Sequence, residues 1–183
     1  MDTININRKG FTLIELMIVI LIIGVLSILS VPRFSTIRDK AKYSQARLYL
    51  KALFESLEHF SAEYGAYPPD VYPNMPPPGL VPGYASEWPY RDRDPFNSRY
   101  DYEAWPRADG TFWVGIVYYG KNRMRDDGLY EGSYYVTNGI DGLIMEYGDD
   151  LFIQAASHGG ITLDVVDPSK YRRVNSWCYV LRR

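Results

Sequence analysis

The fold of this chain is decided at Arg8-Lys9-Gly10-Phe11-Thr12-Leu13-Ile14-Glu15, which opens an apolar segment that continues to Val31. The only ionisable side chain between Phe11 and Val31 is that of Glu15. Roughly 20 apolar residues are enough for a helix to cross a bilayer, so residues 11–31 are predicted to form a transmembrane or filament-core helix. A carboxylate in such a helix costs roughly 2.5–3.5 kcal/mol on insertion scales. Glu15 is therefore expected to have a function and a partner for its charge.

The partner of Glu15 is not in the same helix, because no Lys or Arg lies between Lys9 and Arg33. The charge must be met by another chain or by a new amino terminus made by cleavage. Gly10 has no side chain, so a protease can approach its peptide bond closely, and cleavage there would leave a positively charged amine on Phe11. When helices pack side by side, Glu15 of one subunit is expected to neutralise the Phe11 amine of its neighbour. Such a pair is tolerated in a dry interior and fixes the axial register.

These residues resemble the type IV pilin family, which includes the pseudopilins of type II secretion systems. Its members carry a short basic leader that ends in Gly, then Phe-Thr-Leu-Ile-Glu and a long apolar helix, often with a proline where Pro32 falls here. The resemblance implies that residues 1–10 are a leader, that a prepilin peptidase cuts between Gly10 and Phe11, and that Phe11 is then N-methylated. The residues that match are Lys9, Gly10, Phe11, Thr12, Leu13, Ile14 and Glu15.

Two other interpretations of the apolar segment remain. It is a poor secretory signal peptide, because Glu15 lies near the start of its core, the core is long, and no Ala-x-Ala site follows. A plain membrane anchor for a globular domain is harder to exclude, since an anchor needs only the length. The mature amino terminus distinguishes the two, because a simple anchor would keep Met1 or lose only that residue.

The helical pattern is predicted to continue past Pro32 to Tyr64, with Gly65 ending the helix. Pro32 removes one backbone hydrogen bond and is expected to bend or loosen the helix, and Gly24 is a second weak point. An apolar stripe on residues 34–64 is expected to pack on the head of the protein. Its members are Phe34, Ile37, Ala41, Leu48, Leu53, Leu57, Phe60 and Tyr64.

The head is predicted to comprise residues 65–183, in two parts of different character. Residues 65–110 are rich in proline and aromatic residues, which predicts a long irregular loop held by aromatic packing. Four β-rich runs follow at 111–119, 133–137, 161–166 and 176–181, without helical patterns between them. The fold class is therefore predicted to be α+β, with a long N-terminal helix packed on a C-terminal antiparallel sheet formed by residues 111–183.

Two segments of the head are similar to those of major pseudopilins. The spacing of 94–102 (Asp-Pro-Phe-Asn-Ser-Arg-Tyr-Asp-Tyr) resembles the family's Asp-Pro-Trp-Gly-x-x-Tyr-x-Tyr element. The segment 138–150 resembles a family loop that binds calcium, which makes Asp141, Asp149 and Asp150 candidate ligands. Calcium takes six to eight oxygen ligands. The spacing is loose, and it favours the alternative in which Leu143, Ile144 and Met145 form a short strand and the two later aspartates an exposed turn.

Composition excludes several other functions. A formal charge of −2 gives no support to nucleic-acid binding, and the single cysteine, Cys178, allows no internal disulfide. Cys178 lies in a β-rich run and is expected to be a buried, inert thiol. Two widely separated histidines make no zinc site, and Ser157-His158 lacks a carboxylate that the sequence would specify as the third member of a triad. No catalytic residue is therefore predicted.

The function predicted from this resemblance is that of a structural subunit that polymerises into a pilin-like filament. A type II secretion pseudopilus is closest, because both segments of the head resemble the major pseudopilin. The alternatives are a type IV pilus subunit for adhesion or motility, and a membrane-anchored envelope binding protein or hydrolase. The resemblance implies a single-pass inner-membrane protein with its head in the periplasm or on a filament. Its expected partners are further copies through the N-terminal helices, the prepilin peptidase, an inner-membrane assembly platform, minor pilins or pseudopilins, and lipid before assembly.

Overall fold

The N-terminal apolar segment forms the first part of one long helix, α1, which runs from Leu13 to Tyr64 in a computed structural model of the chain. The structure describes residues 10–126, 140, 142–155, 160–175 and 178–181. The chain divides into two compact units, Met1–Ala41 and Lys42–Arg183. Because the boundary lies inside α1, the second unit contains the last part of the helix together with the β-strands.

The helix ends where the sequence predicts. Gly65 has a φ of +67°, the left-handed conformation that glycine adopts without steric cost. Its backbone N–H donates to the Ser61 carbonyl oxygen at 2.8 Å, which satisfies one of the last carbonyl groups of α1. The helix assignment also continues through Gly24 and Pro32, and a bend at these residues stays a prediction.

The buried face of α1 in the second unit differs from the predicted stripe. Leu53, Leu57 and Phe60 are buried as expected, but Leu48 is 71% exposed, and the residues that complete the face are Ala46 and Leu50. The spacing of these five residues alternates between four and three, so they fall on one side of the helix. The prediction for Leu48 was wrong because an apolar residue at helical spacing does not by itself say which side of the helix meets the sheet.

The strands of the described residues form two sheets. The first has the order β2–β3–β5–β4 and is antiparallel throughout, with β2 at Tyr100–Pro106, β3 at Phe112–Tyr118, β4 at Met145–Tyr147 and β5 at Asp150–Gln154. The second has the order β1–β7–β6, with β1 at Asp70–Val71, β6 at Tyr171–Arg173 and β7 at Cys178–Leu181. In this sheet β1 pairs with β7 in parallel and β6 with β7 antiparallel. The predicted α+β fold class is confirmed.

The four-stranded sheet is covered on both faces. One face packs on α1 through Tyr102, Ile116 and Ile153, which share a continuous cluster with Leu50 and Phe60. The opposite face carries a smaller cluster formed by Trp113, Val117, Tyr119 and Phe152. Burial on both faces explains why β2 and β3 are buried at nearly every position, without the alternation typical of an exposed strand.

Several predicted boundaries in the head need correction. The region 65–110 is not irregular throughout, because it contains β1, a short 3-10 helix at Arg91–Arg93 and β2. Residues 97–105 are free of proline, and β2 lies at the edge of its sheet, where the terminal Pro106 is tolerated. In 161–166 the structure has one bridge, Tyr67 to Ile161, and then a turn instead of a strand. Strand β5 was missed, and the run at 133–137 lies outside the described residues.

The segment that resembles the Asp-Pro-Trp-Gly element of major pseudopilins forms a tight turn before β2. The Asp94 Oδ2 atom accepts hydrogen bonds from the backbone N–H groups of Phe96 and Ser98, both at 2.9 Å, and from the Tyr118 hydroxyl at 3.0 Å. Asn97 stands where the family has glycine, and its φ is +56°. Because asparagine is among the residues that tolerate this conformation, the substitution keeps the turn.

Candidate assembly site at the amino-terminal helix

Glu15 lies in the first turn of α1, where its carboxylate closes a capping box with Thr12. The Glu15 Oε2 atom accepts hydrogen bonds from the Thr12 backbone N–H at 2.9 Å and from the Thr12 hydroxyl at 2.8 Å. The Glu15 backbone N–H donates in turn to Thr12 Oγ1 at 3.3 Å. The carboxylate is also well placed at the positive end of the helix dipole. In the single chain, therefore, the charge of Glu15 is met by donors at its own helix terminus.

The bond predicted to be cleaved is open to an approaching protein. Gly10 and Phe11 lie just before α1 and are exposed, and no described atom stands within 4 Å of the place where a side chain on Gly10 would begin. Phe11 is 80% exposed. Gly10 and Phe11 lie three and two residues before the first residue of α1, and Glu15 lies in its first turn. Cleavage and methylation stay predictions.

The apolar residues that follow Glu15 have no cover in the single chain. Every large apolar residue from Leu16 to Ile28 is exposed, and these side chains point to all sides of the helix. Soluble monomers rarely leave so large an apolar surface in water. This part of α1 therefore requires lipid, or other helices, around it. Among the residues that the structure describes, no helix meets the criteria of length and hydropathy for a membrane span.

Two of the candidate calcium ligands, Asp149 and Asp150, accept hydrogen bonds from backbone groups of the protein. The Asp149 Oδ2 atom accepts from the Asn122 backbone N–H at 3.1 Å, and the Asp150 Oδ2 atom accepts from that of Asp126 at 2.8 Å. Asp150 is fully buried as the first residue of β5, not part of an exposed turn. Gly148 must be a glycine here, because its φ is +58° and a side chain would collide with the Asp126 carboxylate.

Calcium binding by Asp141, Asp149 and Asp150 stays a prediction. No group of three or more His, Cys, Asp or Glu side chains in that part of the chain is arranged to hold one. Asp141 lies outside the described residues, so the predicted set of three cannot be assembled here. The carboxylates of Asp149 and Asp150 instead fasten the turn at 120–126 to β5.

The other residues considered from the sequence are Cys178, His59, Ser157 and His158. Cys178 is a buried free thiol on β7, as predicted. Burial, aided by the neighbouring Asp70 carboxyl, raises the pKa of this thiol well above its ordinary range, which keeps it protonated and unreactive. His59 is exposed on α1, and Ser157 and His158 lie outside the described residues.

Comparison with known proteins connects this site to a family. A model of the prokaryotic N-terminal methylation motif matches residues 5–31. The chain is 31% identical over 144 residues to the type II secretion system core protein G of Dickeya chrysanthemi, and the alignment covers 73% of this chain and 90% of that protein. It is 43% identical over 63 residues to the type IV major pilin protein PilA of Myxococcus xanthus, which covers 34% of this chain and 29% of that protein.

A second core protein G, that of Pseudomonas aeruginosa, is 39% identical over 62 residues, which are 34% of this chain and 44% of that protein. The chain thus spans less than half the length of the Myxococcus and Pseudomonas proteins. No solved structure matches the chain.

The methylation motif, the long helix and the antiparallel sheet together define a subunit of pilin-like filaments, a class anchored to the membrane through its N-terminal motif. Within this class, similarity over most of the head distinguishes the pseudopilins from the pilins. The chain belongs to the family of type II secretion system core protein G.

Besides the strands already described, two side-chain arrangements were missed from the sequence. The first is the role of Thr12, although the pattern Thr-x-x-Glu before an apolar run is the signature of a capping box and was available. The second is a buried group of charges in the head around Arg125. It had no signal in the sequence, because its members are far apart and only the folded sheets bring them together.

Proposed function

We propose that this chain is a major subunit of a type II secretion pseudopilus, a filament that moves folded proteins across the outer membrane. The observation that carries the proposal is a single carboxylate, Glu15, at the start of an apolar helix surface that has no cover in one chain. Copies that pack through these helices would cover the surface for each other. The role is structural rather than enzymatic, in keeping with the pilins and the core protein G among its relatives.

Assembly would begin with removal of residues 1–10 by a prepilin peptidase and N-methylation of Phe11. Before assembly, the Thr12 hydroxyl and backbone N–H satisfy the Glu15 carboxylate within the chain. In the filament, the Phe11 ammonium of a neighbouring copy would reach the same carboxylate. The Thr12 donors are neutral, whereas an ammonium adds the direct attraction between opposite charges to its hydrogen bond with the carboxylate. The exchange of a local cap for an ionic bond would therefore favour the assembled state and select one axial register.

Before assembly, the subunit would be a single-pass protein of the inner membrane, with residues 11–31 in lipid and the head in the periplasm. Exposed apolar side chains around the whole circumference of this segment support that location. Its partners there would be the assembly platform, minor pseudopilins and other copies of the chain. When the helix leaves lipid for the filament, it exchanges one apolar environment for another. The pairing of Glu15 would therefore supply the preference for the filament over the membrane.

A type IV pilus subunit is the second candidate. The similarity to the type IV pilin of Myxococcus is restricted to 34% of the chain, whereas the similarity to the core protein G of Dickeya covers 73%. The sequence resemblance of 94–102 to the pseudopilin element, whose Asp94 holds a tight turn here, also favours the pseudopilus. A membrane-anchored binding protein or hydrolase is the third candidate, and it would require neither cleavage after Gly10 nor polymerisation.

The test is complementation of a bacterium that lacks its own core protein G. We expect the wild-type chain to restore secretion of an exoprotein into the medium and, when overproduced, to form filaments visible by electron microscopy. Glu15→Val should be processed and inserted but should form few filaments. Glu55→Val removes an exposed carboxylate elsewhere on α1 and serves as the control. Normal secretion and filaments with Glu15→Val would contradict the proposal, and surface pili without secretion would favour the type IV pilus.

A further inference from the structure

A buried group of charges lies on the face of the four-stranded sheet that points away from α1. Strand β2 places Asp101 and Glu103 two positions apart, so both side chains leave the same face of the strand. Their side chains are 1% and 6% exposed, and that of Arg125 is 8% exposed. Arg125 Nη1 contacts Glu103 Oε1 closely and lies 3.5 Å from Asp101 Oδ2. The Tyr119 hydroxyl donates to the same Asp101 oxygen.

A third buried carboxyl group, that of Asp70, connects the two sheets. Asp70 lies on β1 of the three-stranded sheet, in register with Cys178 of β7. Its Oδ1 atom accepts a hydrogen bond from the Ala104 backbone N–H, 3.2 Å away on the edge strand β2 of the other sheet. The Cys178 thiol donates to the Asp70 carboxyl from the opposite side. This one side chain therefore holds the edge of one sheet against the edge of the other.

The charges in this group do not balance if every carboxyl group is ionised. In the part of the chain that the structure describes, the group contains three carboxyl groups and one guanidinium, and its other neighbours include Tyr102, Trp105 and Tyr119 of the four-stranded sheet and Cys178 of β7. Two uncompensated charges in a buried site would cost several kcal/mol each. The ordinary response of a protein is to keep protons on the excess acids.

The pKa of each of the three acids is raised, which agrees with this charge count. Burial, aided by the Glu103 carboxyl, raises the pKa of Asp70 to about 8. Burial also raises the pKa of Asp101 well above its ordinary range. It raises that of Glu103 too, although the guanidinium of Arg125 opposes the change. Within the described residues, no cation is among the groups that act most strongly on the Asp70 carboxyl group.

We propose that the junction between the two sheets is a latch closed by a proton on Asp70, and that loss of this proton releases β1, β6 and β7 from the edge of β2. With the proton in place, the buried carboxyl group is neutral and the sheets stay joined. Without it, a further negative charge lies near Glu103 at the junction, while Arg125 is already in contact with Glu103 and Asp101. Opening lets water reach Asp70 and removes this repulsion.

The sign of the pH dependence follows from linkage. The carboxyl group of Asp70 binds its proton more tightly in the closed state than in the open state, where an ordinary pKa near 3.8 applies. The closed state is thus favoured fully at low pH, and its stability decreases as the pH rises toward about 8. This is the reverse of the usual acid denaturation, in which carboxyl groups with lowered pKa values destabilise the fold as the pH falls.

Cys178 supplies a built-in reporter, because it is the only cysteine and is buried in the latch. The experiment measures the alkylation rate of this thiol by iodoacetamide in the processed full-length chain in detergent. The rate at each pH is divided by that of the urea-unfolded chain, which removes the effect of thiol ionisation. The resulting ratio gives the opening constant, which is the equilibrium ratio of the open to the closed latch. We expect the opening constant to rise about tenfold per pH unit for the proton on Asp70, up to the pKa of about 8.

Asp70→Asn keeps the oxygen that accepts from Ala104 but cannot ionise. We expect the slope of the logarithm of the opening constant against pH to fall by about one in this variant. Asp109→Asn, an exposed acid in the turn after β2, is the control and should keep the wild-type slope. If Asp70→Asn does not fold, Glu103→Gln provides a second test, since removing that neighbour lowers the pKa of Asp70 in the closed state and should end the rise at a lower pH.

Two kinds of result would overturn the latch, one in the pH dependence and one in the fluorescence. One is an opening constant in the wild-type chain that does not change with pH, or a slope that Asp70→Asn leaves unchanged. The other is loss of the native fluorescence of the buried Trp88 and Trp113 in step with Cys178 alkylation, because the whole head would then be unfolding. Persistence of the native fluorescence while Cys178 reacts would support local release of the three-stranded sheet.

Discussion

Leu48 and Leu50 of α1 offer a direct test of how the helix packs on the sheet. They are two positions apart in the same helix, yet Leu48 is 71% exposed and Leu50 is fully buried against the four-stranded sheet. The same substitution, Leu to Ala, therefore has two different expected costs, and each variant serves as the matched control of the other.

The expected cost at Leu50 follows from what the substitution removes. Leu50→Ala deletes three buried carbon atoms, worth about 0.8 kcal/mol each in transfer from water. The unfilled cavity beneath α1 adds to this loss, so we expect the free energy of unfolding of the head to fall by about 3 kcal/mol. At Leu48 the removed atoms are already in water, and alanine is a slightly better helix former, so the change should lie within about 0.5 kcal/mol.

The assay is urea unfolding of each processed chain in detergent, followed by the fluorescence of Trp88 and Trp113, which are both buried in the head. A midpoint that falls in Leu50→Ala and stays unchanged in Leu48→Ala would support the packing. Equal losses in the two variants, or a larger loss at Leu48, would show that the helix turns a different face to the sheet and would refute this reasoning.

Three further predictions concern the hydrogen bonds of the site and of the head. Thr12→Val should weaken the first turn of α1 by about 1 kcal/mol, seen as roughly fivefold faster amide exchange at Glu15, and unchanged exchange would contradict the cap. Asp150→Ala should lower the unfolding temperature, because it removes the Oδ2 atom that accepts from the Asp126 N–H, whereas a calcium chelator should not. A rise of several degrees on adding calcium would instead support a metal site. Arg125→Met should cost about 3–5 kcal/mol in urea unfolding, since two buried carboxyl groups lose their cation, and a cost below about 1 kcal/mol would count against the cluster.

The parts of the fold that could be predicted from sequence are those set by local chemistry. The length of α1 follows from an apolar run and an amphipathic continuation, and its end follows from the left-handed Gly65. The assembly motif is likewise local, because Glu15 and the bond after Gly10 lie within six consecutive residues. Each of these features depends on residues that are near each other along the chain.

The parts that were missed depend on residues far apart in sequence. Strands β2 and β5 carry buried acids, Asp101, Glu103 and Asp150, and these acids hide the apolar pattern that identifies a strand. They can be buried only because Arg125 and the backbone of the 120–126 turn reach them in the folded head. The parallel pairing of β1 with β7 joins Asp70 to Cys178, and no local pattern sets such a register.

The most direct test of the central claim is a zero-length crosslink within assembled filaments. An apolar carbodiimide activates a buried carboxylate and joins it to an amine that is already in contact with it. The account predicts a ladder of covalent oligomers, with the Glu15 side chain of one copy joined to the methylated Phe11 nitrogen of another, and no ladder from Glu15→Gln. Filaments that carry a free, reactive Glu15, or a link that stays within one chain, would contradict it.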